Sequence, residues 1–210
     1  MEQSQRPIRV LVVDDHPLLR AGIASAVETQ PDMCVVGHAD DGIDAIEQFR
    51  QLRPDVTLMD LQMPRMGGIE AIKVICREFP SAVILVLTTY KGDVQAHRAL
   101  AAGAMGFLLK DMLRKELVEA IRGVNKGELV ISPEVQIEMA KHSENDVLTE
   151  RETAIIKQVS LGHSNKLVAI HLCITPETVK AHIRNILAKL GAHDRIHAVD
   201  IARRRGIIDS

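Results

Sequence analysis

Short apolar runs alternate with longer segments of helical periodicity over the first 126 residues. Between the runs, apolar residues recur at three-residue steps, as at Ile43, Ile46, Phe49 and Leu52, which indicates amphipathic helices. Strands that are apolar on both faces and separated by helices predict a doubly wound (βα)5 parallel sheet. The five predicted strands are Ile8–Val13, Cys34–Gly37, Val56–Met59, Val83–Leu87 and Gly106–Leu109.

The alternation ends after residue 126. Polar and turn-forming residues predict a linker over 127–146, with a helical part at Glu134–Lys141. Only helices are predicted over 147–210, which makes this part all-α. A capping box at Thr149 and Glu152 starts the first of four helices, and Thr175 and Pro176 start the third. The other two are expected at Asn165–Leu172 and about Asp194–Arg205.

Composition is that of a soluble globular protein, with 46% hydrophobic and 26% charged residues. Its longest apolar runs are far shorter than the roughly 20 residues that span a bilayer. No signal-peptide pattern starts the chain, so a cytoplasmic protein without membrane attachment is expected. The cysteines Cys34, Cys76 and Cys173 lie far apart in apolar segments and are interpreted as free thiols.

Charge divides unevenly along the chain. Residues 1–146 carry 16 basic and 22 acidic side chains, and residues 147–210 carry 10 and 6. The basic C-terminal part suggests contact with a polyanion, although such a difference is also common on solvated surfaces.

Chemically distinctive side chains follow four of the predicted strands. Asp14 and Asp15 follow the first, Asp60 the third, Thr88 the fourth and Lys110 the fifth. Ligands of such sheets bind at the carboxyl ends of the strands. Clustered carboxylates there favour a hard cation such as Mg²⁺, and a lysine and a hydroxyl suit a phosphoryl group. The alternative is that the acids only cap helices and that Lys110 is a surface charge.

Residues 7–126 closely resemble the receiver domain of bacterial two-component response regulators. The similarity is carried by Val12–Pro17, Leu58–Pro64, Leu87–Tyr90 and Gly103–Asp111. It implies that Asp60 is the phosphoacceptor, which attacks the phosphohistidine of a sensor histidine kinase.

The resemblance also implies the other site residues. Asp15, Asp60 and the backbone carbonyl of Gln62 are expected to ligate Mg²⁺ or Mn²⁺, with Asp14 assisting through water. Thr88 and Lys110 are expected to hold the phosphoryl oxygens, with Thr89 as the alternative to Thr88. Phe107 occupies the position of an aromatic switch residue, although a core aromatic is also a natural interpretation. His16 is expected to start a helix and not to act as a base.

Residues 147–208 resemble the LuxR-type helix-turn-helix domain. The similarity lies in Leu148–Glu152, Gly162–Lys166 and Thr178–Gly191. Together the two resemblances indicate the NarL/FixJ subfamily. By this similarity, Lys180, Ala181 and Arg184 of the third helix enter the major groove. Phosphate contacts are expected from Lys166, Asn185 and Lys189.

Some features of the C-terminal part depart from this pattern or admit two interpretations. Leu167 stands where the family commonly has glutamate, and Cys173 lies in the turn before the third helix. The last helix, with Ile196, Val199 and Ile201, is a plausible dimer surface, and its arginine run at 203–205 is either part of that surface or a basic tail.

The sequence therefore predicts a transcription regulator, not an enzyme, that binds promoter DNA as a homodimer when it is phosphorylated. RNA polymerase is an open candidate as a further partner. One alternative is an aspartate-nucleophile phosphatase or phosphotransferase acting on small molecules, but such enzymes usually have a second aspartate where Gln62 stands. Another is a regulator that has lost phosphate control or whose output is protein binding.

Overall fold

A computed structural model describes residues 6–89, 93–141 and 147–208. Its residues form two compact units, the first comprising 6–89 and 96–133 and the second comprising 93–95, 134–141 and 147–208. Within the described ranges, no helix is both long enough and apolar enough to cross a bilayer.

Six parallel strands form the sheet of the first unit, in the order β2-β1-β3-β4-β5-β6. They are β1 Ile8–Val13, β2 Met33–Ala39, β3 Val56–Asp60, β4 Ile84–Thr88, β5 Gly106–Leu109 and β6 Val130–Ile131. The doubly wound sheet is thus confirmed. The sixth strand was not predicted, because it has two residues and lies in the segment interpreted as linker.

Helices connect these strands: α1 Pro17–Glu28, α2 Gly42–Leu52, α3 Gly68–Glu78, α4 Asp93–Ala101 and α5 Leu113–Asn125, the last preceded by a 3-10 turn at Lys110–Met112. One face of the sheet packs against α1 and α5, where Ile23, Val27 and Ile121 join Val12 and Leu58 in an apolar cluster. Successive strand side chains point to opposite faces of the sheet. Those that point away from α1 and α5 are also buried, so both faces of the sheet are covered.

Among the described residues after β6, the regular elements are all helices: α6 Pro133–Lys141, α7 Glu150–Ser160, α8 Asn165–His171, α9 Pro176–Leu190 and α10 Arg195–Arg204. The predicted capping box is present, because the Thr149 side chain accepts from the Glu152 N–H and the Glu152 carboxylate accepts from the Thr149 N–H. Helices α7 to α10 enclose a core that includes Ile155, Val179 and Ile186. This arrangement confirms the four-helix domain.

Candidate functional site

The carboxyl edge of the sheet holds the predicted acidic residues. Asp14 directly follows β1, and Asp60 is the last residue of β3, where the sequence had placed it just after the strand. Their exposed fractions are 0% and 4%, so both carboxylates are withdrawn from solvent. The order of the sheet makes β1 and β3 neighbours, and this adjacency brings the two acids together.

Lys110 joins these two carboxylates. Its Nζ lies 2.7 Å from Asp14 Oδ2 and 2.8 Å from Asp60 Oδ2, and only 8% of its side chain is exposed. Burial disfavours the charged ammonium, but the hydrogen bonds to the two carboxylates outweigh burial and raise the pKa of Lys110. Lys110 is therefore a fixed positive charge beside Asp60.

Asp60 is held from the other side by the backbone. Its Oδ1 accepts from the Leu61 N–H at 2.7 Å and from the Gln62 N–H at 3.4 Å. Burial raises the pKa of Asp60, the bond to Lys110 lowers it, and the charge of Asp14 raises it, with a net upward shift. A further cation at this site would favour the ionised form.

The donor atoms at this edge suit such a cation. Oxygen or nitrogen atoms of Asp14, Asp15, His16 and Asp60 lie within 4.8 Å of one another. Three of these four residues offer carboxylate oxygens, which Mg²⁺ prefers, so the residues fit the metal that receiver domains generally bind. His16 was not predicted to lie in this group. Its Nδ1 is 2.6 Å from Asp15 Oδ1, and its backbone N–H donates to Asp14, which places it at the start of α1 as expected.

Thr88 lies on β4, the strand next to that of Asp60, and Phe107 lies on β5, one strand further along the sheet. Thr88 ends β4, which pairs with β3 and β5, and it is buried, whereas Thr89 is exposed. Phe107 is completely buried in β5 and pairs with Val86. Phe107 thus fills the core in this structure, and its switching role stays a prediction.

The exposed face of α9 carries the predicted groove residues. Lys180, Ala181 and Arg184 are exposed and recur at helical spacing, and Asn185, a predicted phosphate contact, is exposed beside them. Buried Val179, Ile186 and Leu190 lie on the opposite side and anchor the helix to the domain core. Gly191 ends α9 in the left-handed conformation. A basic helix face is thereby presented to solvent.

The predicted phosphate contacts have different surroundings. Lys166 is exposed in the first turn of α8. The Nζ of Lys189 lies 2.7 Å from Oε2 of the buried Glu152 and also donates to the Val147 carbonyl at 3.3 Å. This ion pair, which sequence reasoning missed, links the end of α9 to the capping box of α7. A phosphate contact by Lys189 stays a prediction.

Other C-terminal features are also located. Leu167 is exposed on α8, and exposed Cys173 has a φ of 52° in the turn before α9. Ile196 is exposed on α10, as a surface for association requires. Arg205 is buried, so the arginine run is not a uniformly solvated tail.

Two family models match the chain. Residues 10–122 match the response regulator receiver domain, and residues 146–202 match the luxR family of bacterial regulatory proteins. These matches cover both groups of site residues described above.

Full-length relatives support the same assignment. The transcriptional regulatory protein LiaR of Bacillus subtilis is 41% identical, with 96% of this chain and 100% of LiaR covered. The response regulator VraR of Staphylococcus aureus is 40% identical, with 96% and 99% covered. Among solved structures, RcsB of Salmonella enterica serovar Typhimurium, bound to a promoter in the presence of the phosphomimetic BeF3-, is 26% identical. Its TM-score is 0.73, and the match covers 93% of this chain and 98% of RcsB.

Proposed function

Because the chain belongs to the two-component response regulators with a LuxR-type DNA-binding domain, we propose that phosphorylation of Asp60 by a sensor histidine kinase controls its binding to promoter DNA. The observation that carries the proposal is the contact of Lys110 Nζ with both Asp14 and Asp60 at the carboxyl edge of the sheet. The contact supports the proposal because the proposed nucleophile would have a second carboxylate and a cation beside it.

Phosphoryl transfer at this site requires few chemical steps. An Asp60 carboxylate oxygen attacks the phosphorus of a kinase phosphohistidine, the P–N bond breaks, and the leaving imidazole takes up a proton. Asp15, Asp60 and the Gln62 carbonyl, with Asp14 assisting, would hold Mg²⁺ or Mn²⁺, which would supply positive charge to the phosphoryl oxygens. Lys110 and Thr88 bind the same oxygens from the protein side.

The phosphorylated group alters packing at the sheet edge. Movement of Thr88 toward the phosphoryl oxygens leaves space that the ring of Phe107 repacks to fill, and this change favours a homodimer that binds DNA. The protein accepts the phosphoryl group on its own side chain and turns over no small substrate. Its catalytic activity is at most the removal of its own phosphoryl group. We place it in the cytoplasm, where promoter DNA and RNA polymerase are present.

The basic face of α9 is the proposed DNA-reading surface. Lys180 and Arg184 can donate to base edges in the major groove, and Ala181 can contact a thymine methyl. Lys166, Asn185 and Lys189 are proposed to contact phosphates. The exposure of Lys180, Ala181 and Arg184 supports the proposed contacts with bases.

Intact-protein mass spectrometry after incubation with Mg²⁺ and acetyl phosphate tests the phosphoacceptor. Wild type should gain one phosphoryl group and Asp60→Asn none. Asp55→Asn is a matched control, because Asp55 pairs with Arg6 away from the site, and it should be labelled like wild type. Equal labelling of Asp60→Asn and wild type would refute the assignment, and sustained hydrolysis of acetyl phosphate would favour a phosphatase.

A further inference from the structure

The loop between β3 and α3, residues 61–67, lies tightly against the proposed phosphoacceptor. The Gly68 N–H donates to the Leu61 carbonyl at 3.0 Å and closes the loop at its base. A Cβ at Gly68 would lie 2.0 Å from the Asp60 carbonyl oxygen, so no side chain fits there. Because Gln62 belongs to this loop, a shift of the loop displaces a proposed metal ligand.

Helix α2 holds the outer part of the same loop. The Gly42 N–H donates to the Met66 carbonyl at 3.0 Å, and a Cβ at Gly42 would approach that oxygen to 2.8 Å. Beside this contact, the Arg65 guanidinium forms an ion pair with Asp41 Oδ2. Backbone and side chain therefore both join the loop to the start of α2.

The two oxygens of Asp41 contact different partners. Oδ1 accepts from the Ile43 and Asp44 N–H groups and caps α2, which leaves Oδ2 for Arg65. Asp41 is 1% exposed, so its charge has little solvent to stabilise it. A buried carboxylate strongly requires a charged partner, and here that partner comes from the loop.

Arg65 adopts a backbone conformation that its side chain does not favour. Its φ is 59°, in the left-handed region that residues other than glycine, asparagine and aspartate rarely occupy. Such a conformation persists where the surroundings determine it, and the Asp41 contact is the interaction that the arginine gains.

We propose that Asp41 and Arg65 are positioning residues whose ion pair fixes the 61–67 loop so that the Gln62 carbonyl is held at the divalent-metal site beside Asp60. The inference rests on the proposed function, since it assigns a role toward the metal of that site. Neither residue has a proposed contact with the phosphoryl group. They act through the loop, as outer-shell partners commonly tune metal affinity.

An ion pair between α2 and α3 provides a matched control. Arg50 Nη2 lies 2.5 Å from Glu78 Oε1, and Arg50 Nε donates to Glu78 Oε2 at 2.8 Å. Both residues lie at the C-terminal ends of α2 and α3, whereas Asp41 and the loop lie at the N-terminal ends. Arg50→Ala thus removes a pair between these helices without touching the loop.

The experiment measures Mn²⁺ affinity of the full-length protein by electron paramagnetic resonance. Arg65→Ala should weaken Mn²⁺ binding about tenfold, the lower end of outer-shell effects. Asp41→Asn should have a similar effect, because asparagine retains the helix cap but loses the charge that Arg65 requires. The double variant should be no weaker than either single variant if both act through one contact. Arg50→Ala should bind like wild type.

The outcomes separate the loop role from the site itself. Wild-type affinity in both Arg65→Ala and Asp41→Asn would overturn the inference, as would an equal loss in Arg50→Ala. If the circular dichroism spectrum shows that Arg65→Ala is not folded, the Mn²⁺ affinity of Asp41→Asn decides whether the inference holds. If Asp60→Asn binds Mn²⁺ like wild type, the metal site is elsewhere and the proposed function fails first.

Discussion

Lys180 and Arg184 are the side chains on which DNA recognition should depend most. Each is exposed on α9, one helical turn apart. A good contact from such a residue to a base contributes about 1–3 kcal/mol, which corresponds to roughly a 5- to 150-fold change in affinity. At the scale of single residues, recognition should thus rest on a few directed donors on one helix face.

Replacing either residue by alanine should weaken DNA binding by roughly 5- to 150-fold and relax the preference at one base position. Fluorescence anisotropy with DNA selected from a randomised library measures both effects. Lys157→Ala, at an exposed lysine of α7, is the control and should bind like wild type. Unchanged affinity in both α9 variants would move the DNA contact to another surface.

Gly68 shows how one element positions another. Helix α3 begins at this residue, directly against the Asp60 carbonyl, with no space for a Cβ. Gly22 lies in the middle of α1, and a Cβ added there would meet no described atom within 4 Å beyond its own helix backbone. Replacement of glycine by alanine would therefore produce a steric clash at Gly68 and none at Gly22.

Gly68→Ala should lower the free energy of unfolding by about 1–3 kcal/mol through overpacking and should slow labelling by acetyl phosphate. Gly22→Ala should raise it by about 0.5–1 kcal/mol, because alanine favours the helix, and should leave labelling unchanged. Urea unfolding and labelling time courses report the two effects. A Gly68→Ala protein as stable and as quickly labelled as wild type would contradict the tight contact.

The junction of α7 and α9 should be sensitive to acid. Burial raises the pKa of Glu152, but the bonds from Lys189 and Thr149 outweigh it and lower the pKa below its ordinary 4.5. Because the folded pKa is lowered, this stabilisation is complete above about pH 4.5 and is lost as the pH falls through the folded value.

Hydrogen exchange of the full-length protein should therefore show α7 and α9 losing protection below about pH 4.5. Glu152→Gln should have less protection at neutral pH and a smaller change on acidification. Glu119→Gln, at an exposed pair with Arg122, is the control and should follow wild type. The same acid response in Glu152→Gln and wild type would assign the effect to other groups.

The sequence predicted elements better than it predicted contacts. Periodicity located five strands and the four C-terminal helices, and the helix caps at Thr149 and Thr175 are present as expected. Strand β6 was missed because two residues show no periodicity. The Asp41–Arg65 and Lys189–Glu152 pairs join residues far apart in the chain, and no local pattern reports such partners. The approach of Lys110 to Asp14 and Asp60 was predictable because parallel strands end at one edge.

At the scale of the whole molecule, the chain combines the proposed phosphoacceptor edge in one unit with a basic helix face in the other. Dimeric binding predicts two half-sites separated by about one turn of DNA or a multiple of it, and an affinity that falls steeply with salt. Regulation requires a free-energy coupling between the two functions, which typically amounts to about 1–3 kcal/mol.

The most direct test of this coupling is the Kd of the full-length protein for selected DNA, with and without acetyl phosphate and Mg²⁺, for wild type and Asp60→Asn. Phosphorylation should tighten wild-type binding by roughly 5- to 150-fold and leave Asp60→Asn unchanged. Equal affinity of phosphorylated and unphosphorylated wild type would contradict control of DNA binding through Asp60.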